Sequence, residues 1–145
     1  MESKEELQKV LKWRQELGGF NRYLGAKITD ITEGGATVAL KLIPEMLNPL
    51  SMAHGGALFS LCDIAAGTAA ASRGRVAVTL DSSIQYLRAA KPEQTIRAQA
   101  RELKSGRNTA VYMVEVTDES GKLLTTATFT MFYTDKTIED LVCEN

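Results

Sequence analysis

A chain of 145 residues, 44% hydrophobic and 24% charged, is long enough to bury the core of one domain and has the composition of an ordinary globular fold. Its formal net charge of −1 leaves no basic stripe, which argues against nucleic acid or an anionic membrane as a partner. Cys62 and Cys143 lie far apart without CxxC spacing, so neither a disulfide framework nor zinc is expected, and the chain suits a reducing cytoplasm.

The first ten residues, MESKEELQKV, are charged and contain no apolar signal core. Residues 2–17 predict a helix: Leu7, Val10, Leu11, Arg14 and Leu17 recur at i, i+3, i+4 spacing, and Gly18-Gly19 ends the run. Ser3 with Glu6 has the spacing of a capping box. Residues 26–33 and 36–43 predict two strands turning at Glu33-Gly34-Gly35. PEMLNPLSM (44–52) is a proline-bearing loop. Residues 55–72, GGALFSLCDIAAGTAAAS, predict a long helix, apolar on all sides and closed by Arg73-Gly74, that requires burial on all sides. Its Gly, Ala and Ser content suits a buried helix rather than a membrane span.

Beyond it the pattern is all strand. Residues 75–90 are rich in β-branched side chains, and 95–104 alternate Ile96, Ala98 and Ala100 with Arg97, Gln99 and Arg101. SGRN is a turn, 109–118 a strand, ESGK a turn, and 123–135 the last strand. The order helix, β-β, long helix, four strands predicts an α+β fold in a single domain over 1–145: a curved antiparallel sheet of five or six strands wrapped around the long helix, with helix 1–17 outside it.

Three features of AHGGALFSLCD (53–63) carry chemistry. Asp63 sits in an apolar run whose helical neighbours Phe59, Ser60, Ala66 and Gly67 cannot neutralise it. Either a basic side chain such as Arg73, Arg75 or Arg88 faces it or it lies in a functional cleft, because an unpaired buried carboxylate is costly. Gly55-Gly56 at a helix start leaves backbone N–H groups open to close approach, at the positive end of the helix dipole, a place for an oxygen that develops negative charge. His54, the one histidine, either stabilises that corner or takes part in catalysis; it cannot build a metal site alone. Cys62 reads as a core residue. From Gly55 to Asp63 the helix rises about 12 Å, so one chain cannot bring both ends to a single carbonyl. Two copies packed antiparallel about a two-fold axis can.

Asn48, His54-Gly55-Gly56 and Asp63 form an N-x(5)-HGG-x(6)-D pattern, and with the strand block after residue 77 the chain resembles the hotdog-fold acyl-CoA thioesterases, most closely the PaaI-like branch. The resemblance spans roughly residues 18–134. It implies a sheet around a central helix and a homodimer or homotetramer built as a dimer of dimers. It implies an acyl-CoA substrate, and needs no metal or resident cofactor. Asp63 would be general base or nucleophile, and the Gly55 N–H would polarise the thioester carbonyl with His54 supporting its loop. Asn48 would position the water or carbonyl, and Thr79 would accompany the acid. Asp63 and Thr79 would come from one subunit, and Asn48, His54 and Gly55 from the other. Arg88, Lys91 and Arg107 are candidates for the coenzyme A phosphates. Gly67 stands where some of these enzymes carry a hydroxyl, and the first helix is expected over the acyl pocket, with Leu11, Trp13 and Leu17 as walls. The expected reaction is hydrolysis of an aryl- or medium-chain acyl-CoA; hydration or dehydration of an enoyl or 3-hydroxyacyl thioester, and acyl-CoA binding without turnover, are the alternatives.

Overall fold

The computed structural model describes residues 3–143. In chain order these form helices α1 (Lys4–Glu16) and α2 (Gly19–Leu24), strands β1 (Lys27–Thr32) and β2 (Gly35–Lys41), and a single 3-10 turn at Pro44–Met46. Helix α3 (Gly55–Ala71), strands β3 (Arg75–Tyr86), β4 (Thr95–Ser105), β5 (Thr109–Thr117) and β6 (Leu123–Thr137), and helix α4 (Ile138–Cys143) follow. The six strands make one antiparallel sheet in the order β1-β2-β4-β5-β6-β3, and the long helix α3 is the element it wraps. This is the hotdog arrangement of the α+β class.

Burial follows the period-2 pattern of a sheet with one covered face. On β4, Ile96, Ala98 and Ala100 are buried while Arg97, Gln99 and Arg101 are exposed. Val38, Leu40, Val114, Val116, Phe129 and Met131 complete the covered face. Facing them, Leu58, Leu61, Ile64, Ala65, Ala66, Ala69 and Ala70 of α3 are buried. Alanines on both sides leave little side chain between backbones, so helix and sheet close together, and Phe59 packs against Phe129 at 5.4 Å between ring centroids.

Helix α1 starts with the capping box: Ser3 Oγ accepts from the Glu6 N–H, and Glu6 Oε2 accepts from the Ser3 N–H. Gln15 holds α1 against the start of β1 through both ends of its side-chain amide: Nε2 donates to the Ala26 carbonyl at 3.2 Å and Oε1 accepts from the Ile28 N–H at 2.6 Å. The β1–β2 turn passes through Gly34 at φ +80°. Arg73 ties that turn to the end of α3 by pairing with Glu33 and Glu102.

The structure adds two six-residue helices that the sequence pattern did not announce, α2 and α4. Both are too short to show a helical period. Gly18 and Gly19, at φ +78° and +67°, turn the chain into α2, and reciprocal bonds between Thr137 and Asp140 cap α4. The strand expected over 75–90 ends at Tyr86, because the Ala90 carbonyl turns to accept from the Ala53 N–H. Residue 2 of the expected first helix lies outside the described residues.

Candidate active site

The open face of α3 carries the acid. Phe59, Ser60, Asp63 and Gly67 are the positions of the helix middle that the sheet leaves partly exposed, and they line one face at i, i+3 and i+4 spacing. Asp63 Oδ1 accepts from Thr79 Oγ1 at 2.5 Å, across to the edge strand β3. Arg73 and Arg75, two of the basic residues considered for Asp63, are engaged elsewhere. Arg73 pairs with Glu33 and Glu102, and Arg75 donates to the Arg107 carbonyl and lies 3.8 Å from the Tyr133 ring centroid. Cys62 beside it is fully buried, and burial together with Asp63 pushes its thiol up to about 12, so it stays protonated and inert at neutral pH.

The start of α3 is built from the preceding loop. His54 is the N-cap residue: its Nδ1 accepts from the Gly56 N–H at 2.8 Å, so the neutral ring carries its proton on Nε2. Its own N–H donates to the Met46 carbonyl. The Gly55 N–H has no acceptor among the described residues. Tyr86, a residue the sequence did not single out, closes over this corner: its hydroxyl donates to the Gly55 carbonyl at 2.8 Å. A Cβ on Gly55 would stand 3.1 Å from the Tyr86 ring, close enough that Tyr86 would have to shift by a few tenths of an ångström to admit it. Asn48 Oδ1 accepts from the Leu50 and Met52 N–H groups, which fixes the amide so that its NH2 faces away from them, without an acceptor among the described residues. Two unpaired donors, the Gly55 N–H and the Asn48 amide, thus flank the same loop.

Gly55 and Asp63 are eight residues apart on one unbroken helix, about 12 Å of rise, so a single chain holds the donors and the acid at separate places. Arg88 and Lys91 are exposed on the β3–β4 loop, which the Ala53–Ala90 hydrogen bond anchors beside the helix start. Arg107 is not brought to them: it sits on the β4–β5 turn by Arg75, at the other end of the twelve-residue β3, about 36 Å away along that strand. On the first helix, Leu11 packs against both the main core and the smaller cluster of Val10, Ile31, Ala71 and Ile138, Trp13 packs with the smaller cluster, and Leu17 is 54% exposed. The α1 side chain that reaches the Asp63 face of α3 is Arg14, whose Nε donates to Thr68 Oγ1 at 3.0 Å.

Among the described residues, no three His, Cys, Asp or Glu side chains converge as a metal site, and no helix is long and apolar enough to cross a membrane. The family model of the Thioesterase superfamily matches residues 50–125, a stretch that contains the whole HGG helix, Asp63 and Thr79. The chain belongs to that family. This thioesterase is 37% identical to the acyl-coenzyme A thioesterase PaaI of Escherichia coli over 99 residues, 68% of this chain and 71% of that one. Against the solved structure of the E. coli PaaI protein the TM-score is 0.88 at 29% identity, covering 90% of this chain and 95% of the other. A Streptococcus pneumoniae thioesterase solved with coenzyme A gives a TM-score of 0.73 at 38% identity, covering 75% and 88%. Human acyl-coenzyme A thioesterase 13 is 31% identical over 125 residues, 83% of this chain and 89% of its own. The thioesterase is thus a PaaI-like thioester hydrolase with the hotdog fold.

Proposed function

We propose that this thioesterase hydrolyses acyl-CoA thioesters at a site completed by a second copy of the chain, with Asp63 as general base. The observation that carries the proposal is the Asp63–Thr79 pair on the open face of α3, eight residues from an unpaired Gly55 N–H on the same helix. The relatives named for acyl-coenzyme A thioesterase activity, and the one solved with coenzyme A, support the substrate class.

In this mechanism Asp63 of one subunit takes a proton from water as the water oxygen attacks the thioester carbonyl carbon. Thr79 orients the carboxylate. The carbonyl oxygen becomes an oxyanion that accepts from the partner's helix-start N–H, with the Asn48 amide beside it. The C–S bond then breaks, and the proton on Asp63 passes to the departing thiolate. His54 holds the Gly55-Gly56 corner in the conformation that presents the donor. Arg88 and Lys91, beside that corner, suit the phosphates of the coenzyme, with Arg107 reaching them only from another subunit.

The second copy is supported by the edge strand. β3 ends the sheet with its backbone groups unpaired on one side, and Val78, Leu80 and Leu87 on or beside it are 52%, 61% and 57% exposed. A long, apolar, open edge is an association surface. The acyl group in this proposal is aryl or medium-chain, and the enzyme works in the cytoplasm as a homodimer or homotetramer. The test is free-thiol release from a panel of acyl-CoAs by the native protein and Asp63→Asn. Turnover that Asp63→Asn lowers by at least a hundredfold supports the proposal. Equal turnover by both proteins, loss of enoyl-CoA absorbance through hydration, or tight binding without thiol release each refutes it.

A further inference from the structure

We propose that Arg14 sets the acyl specificity of this site: its guanidinium, laid over Gly67 on the open face of α3 with both Nη groups unpaired, binds a carboxylate at the far end of the acyl group. The preferred substrate is then the mono-CoA thioester of a dicarboxylic acid. The inference rests on the hydrolysis proposed above and names the acyl class for it.

Arg14 interrupts the apolar stripe of α1, where Leu7, Val10 and Leu11 mark the packing face. The side chain is largely buried, and its anchor is specific. Nε donates to Thr68 Oγ1 at 3.0 Å, and Thr68, fully buried, donates in turn to the Ile64 carbonyl at 2.7 Å. That anchor fixes where the other two nitrogens lie. A Cβ built on Gly67 would stand 3.1 Å from Nη2, 3.8 Å from Cζ and 3.9 Å from Nη1, so the guanidinium lies against the helix where residue 67 has no side chain.

Neither Nη group has an acceptor among the described residues. The bond from Nε to Thr68 is the hydrogen bond Arg14 makes, and no carboxylate lies within ion-pair distance of it. The Nη groups are not sealed in either: the fully buried side-chain atoms without a partner are Trp13 Nε1 and Thr125 Oγ1. Around them the surface is apolar, with Leu11 one turn back on α1 and Phe59 two turns back on α3, both packed against the main core. Burial pushes the guanidinium down to about 10, and the charge of Asp63 opposes that fall, so Arg14 stays a cation at neutral pH. A largely buried cation with unused donors is costly unless an anion meets it. A carboxylate fits best, because its two oxygens match two N–H directions of the guanidinium fork, and with Nε on Thr68 the Nη1–Nη2 end is the one left.

The reach is that of a short acyl chain. Gly67 follows Asp63 by one helical turn on the same face, about 6 Å along the helix. At about 1.5 Å per C–C bond, an extended acyl chain of about six carbons covers that distance. A chain that runs along α3 from a thioester at Asp63 therefore ends at Arg14.

Matched substrate pairs separate recognition from packing. Thiol release is measured from adipyl-CoA against hexanoyl-CoA, and from 4-carboxyphenylacetyl-CoA against phenylacetyl-CoA. The proteins are the native chain, Arg14→Met, Gly67→Ala and Asp63→Asn. The native protein is expected to favour the carboxylated member of at least one pair by about tenfold or more in kcat/KM. Arg14→Met is expected to erase that preference, with the loss falling on the carboxylated ester. Gly67→Ala is expected to lie between, and it carries the test if Arg14→Met does not fold, because alanine favours the helix while its Cβ displaces Nη2. A native protein that prefers the carboxylated ester in neither pair overturns the inference. Equal losses on both members of a pair in Arg14→Met and Gly67→Ala also overturn it, since they mark a contact that only holds the fold or the assembly together. In both cases turnover of the neutral esters that Asp63→Asn abolishes leaves the hydrolase reading standing. Thiol release from none of these esters by the native protein overturns both.

Discussion

Separating the donors from the acid on one helix has a measurable consequence in mixed assemblies. Consider two variants, Asp63→Asn and Gly55→Pro. The first removes the base, and general-base catalysis is worth about 10²–10⁴ in rate. The second removes only the N–H that would hold the oxyanion, a loss of about 10²–10³. Proline suits the position: residue 55 is the first of α3, where the missing N–H breaks no helical bond, and His54 precedes it at ψ 138°, in the extended region a proline demands. Its ring meets Tyr86, which must shift by a few tenths of an ångström to accept a contact now at 3.1 Å. Each variant alone is expected to be nearly inactive. Within one chain the two positions are about 12 Å apart, beyond the reach of a single carbonyl, so in the proposed mechanism each working site draws on two chains. Co-expressed in equal amounts and assembled at random, one site in four pairs an Asp63-intact chain with a Gly55-intact chain, so about a quarter of native activity returns. The assay is thiol release per active-site equivalent in the co-purified mixture, with each variant purified alone as baseline. Mixed assemblies no more active than the two variants alone would refute the shared site, since sites confined to one chain gain nothing from mixing.

Other consequences are simpler to measure. Ser72→Ala leaves the buried Gly34 N–H without the Ser72 Oγ it donates to at 2.8 Å, and urea denaturation should show a loss of about 2 kcal/mol. His54→Ala removes the cap on the Gly56 N–H, and thermal unfolding should fall by about 1 kcal/mol in stability, with a larger loss in turnover if the cap presents the Gly55 donor. Iodoacetamide at pH 8 should add one label to the native protein, on exposed Cys143, and a second only after denaturation, because burial and Asp63 keep the Cys62 thiol protonated. Mass spectrometry of the labelled chain counts the adducts.

The order of elements was legible in the sequence because the main signals are local. Alternation at Ile96, Ala98 and Ala100 states which face of β4 is covered, and a helix apolar all round from Gly55 to Ala71 has nowhere to go but the inside of the sheet. The pattern of Asn48, His54-Gly55-Gly56 and Asp63 likewise pointed to the thioesterase family whose model matches residues 50–125. Helices α2 and α4 were not legible, since six residues span too few turns for a period to appear.

What only the tertiary structure decided are the contacts between residues remote in the chain. Thr79 meets Asp63 because β3 runs beside α3, and Tyr86 seals the start of that helix from the end of the same strand. Arg14 reads in sequence as one more member of an amphipathic stripe. It reaches Thr68 and lies beside Gly67 only because Gln15 holds α1 against β1 and because Gly67, fifty-three residues further on, leaves room for its guanidinium. Local pattern determines which face of an element is apolar. Where a long polar side chain ends is set by the packing of other elements, and no window of sequence contains that.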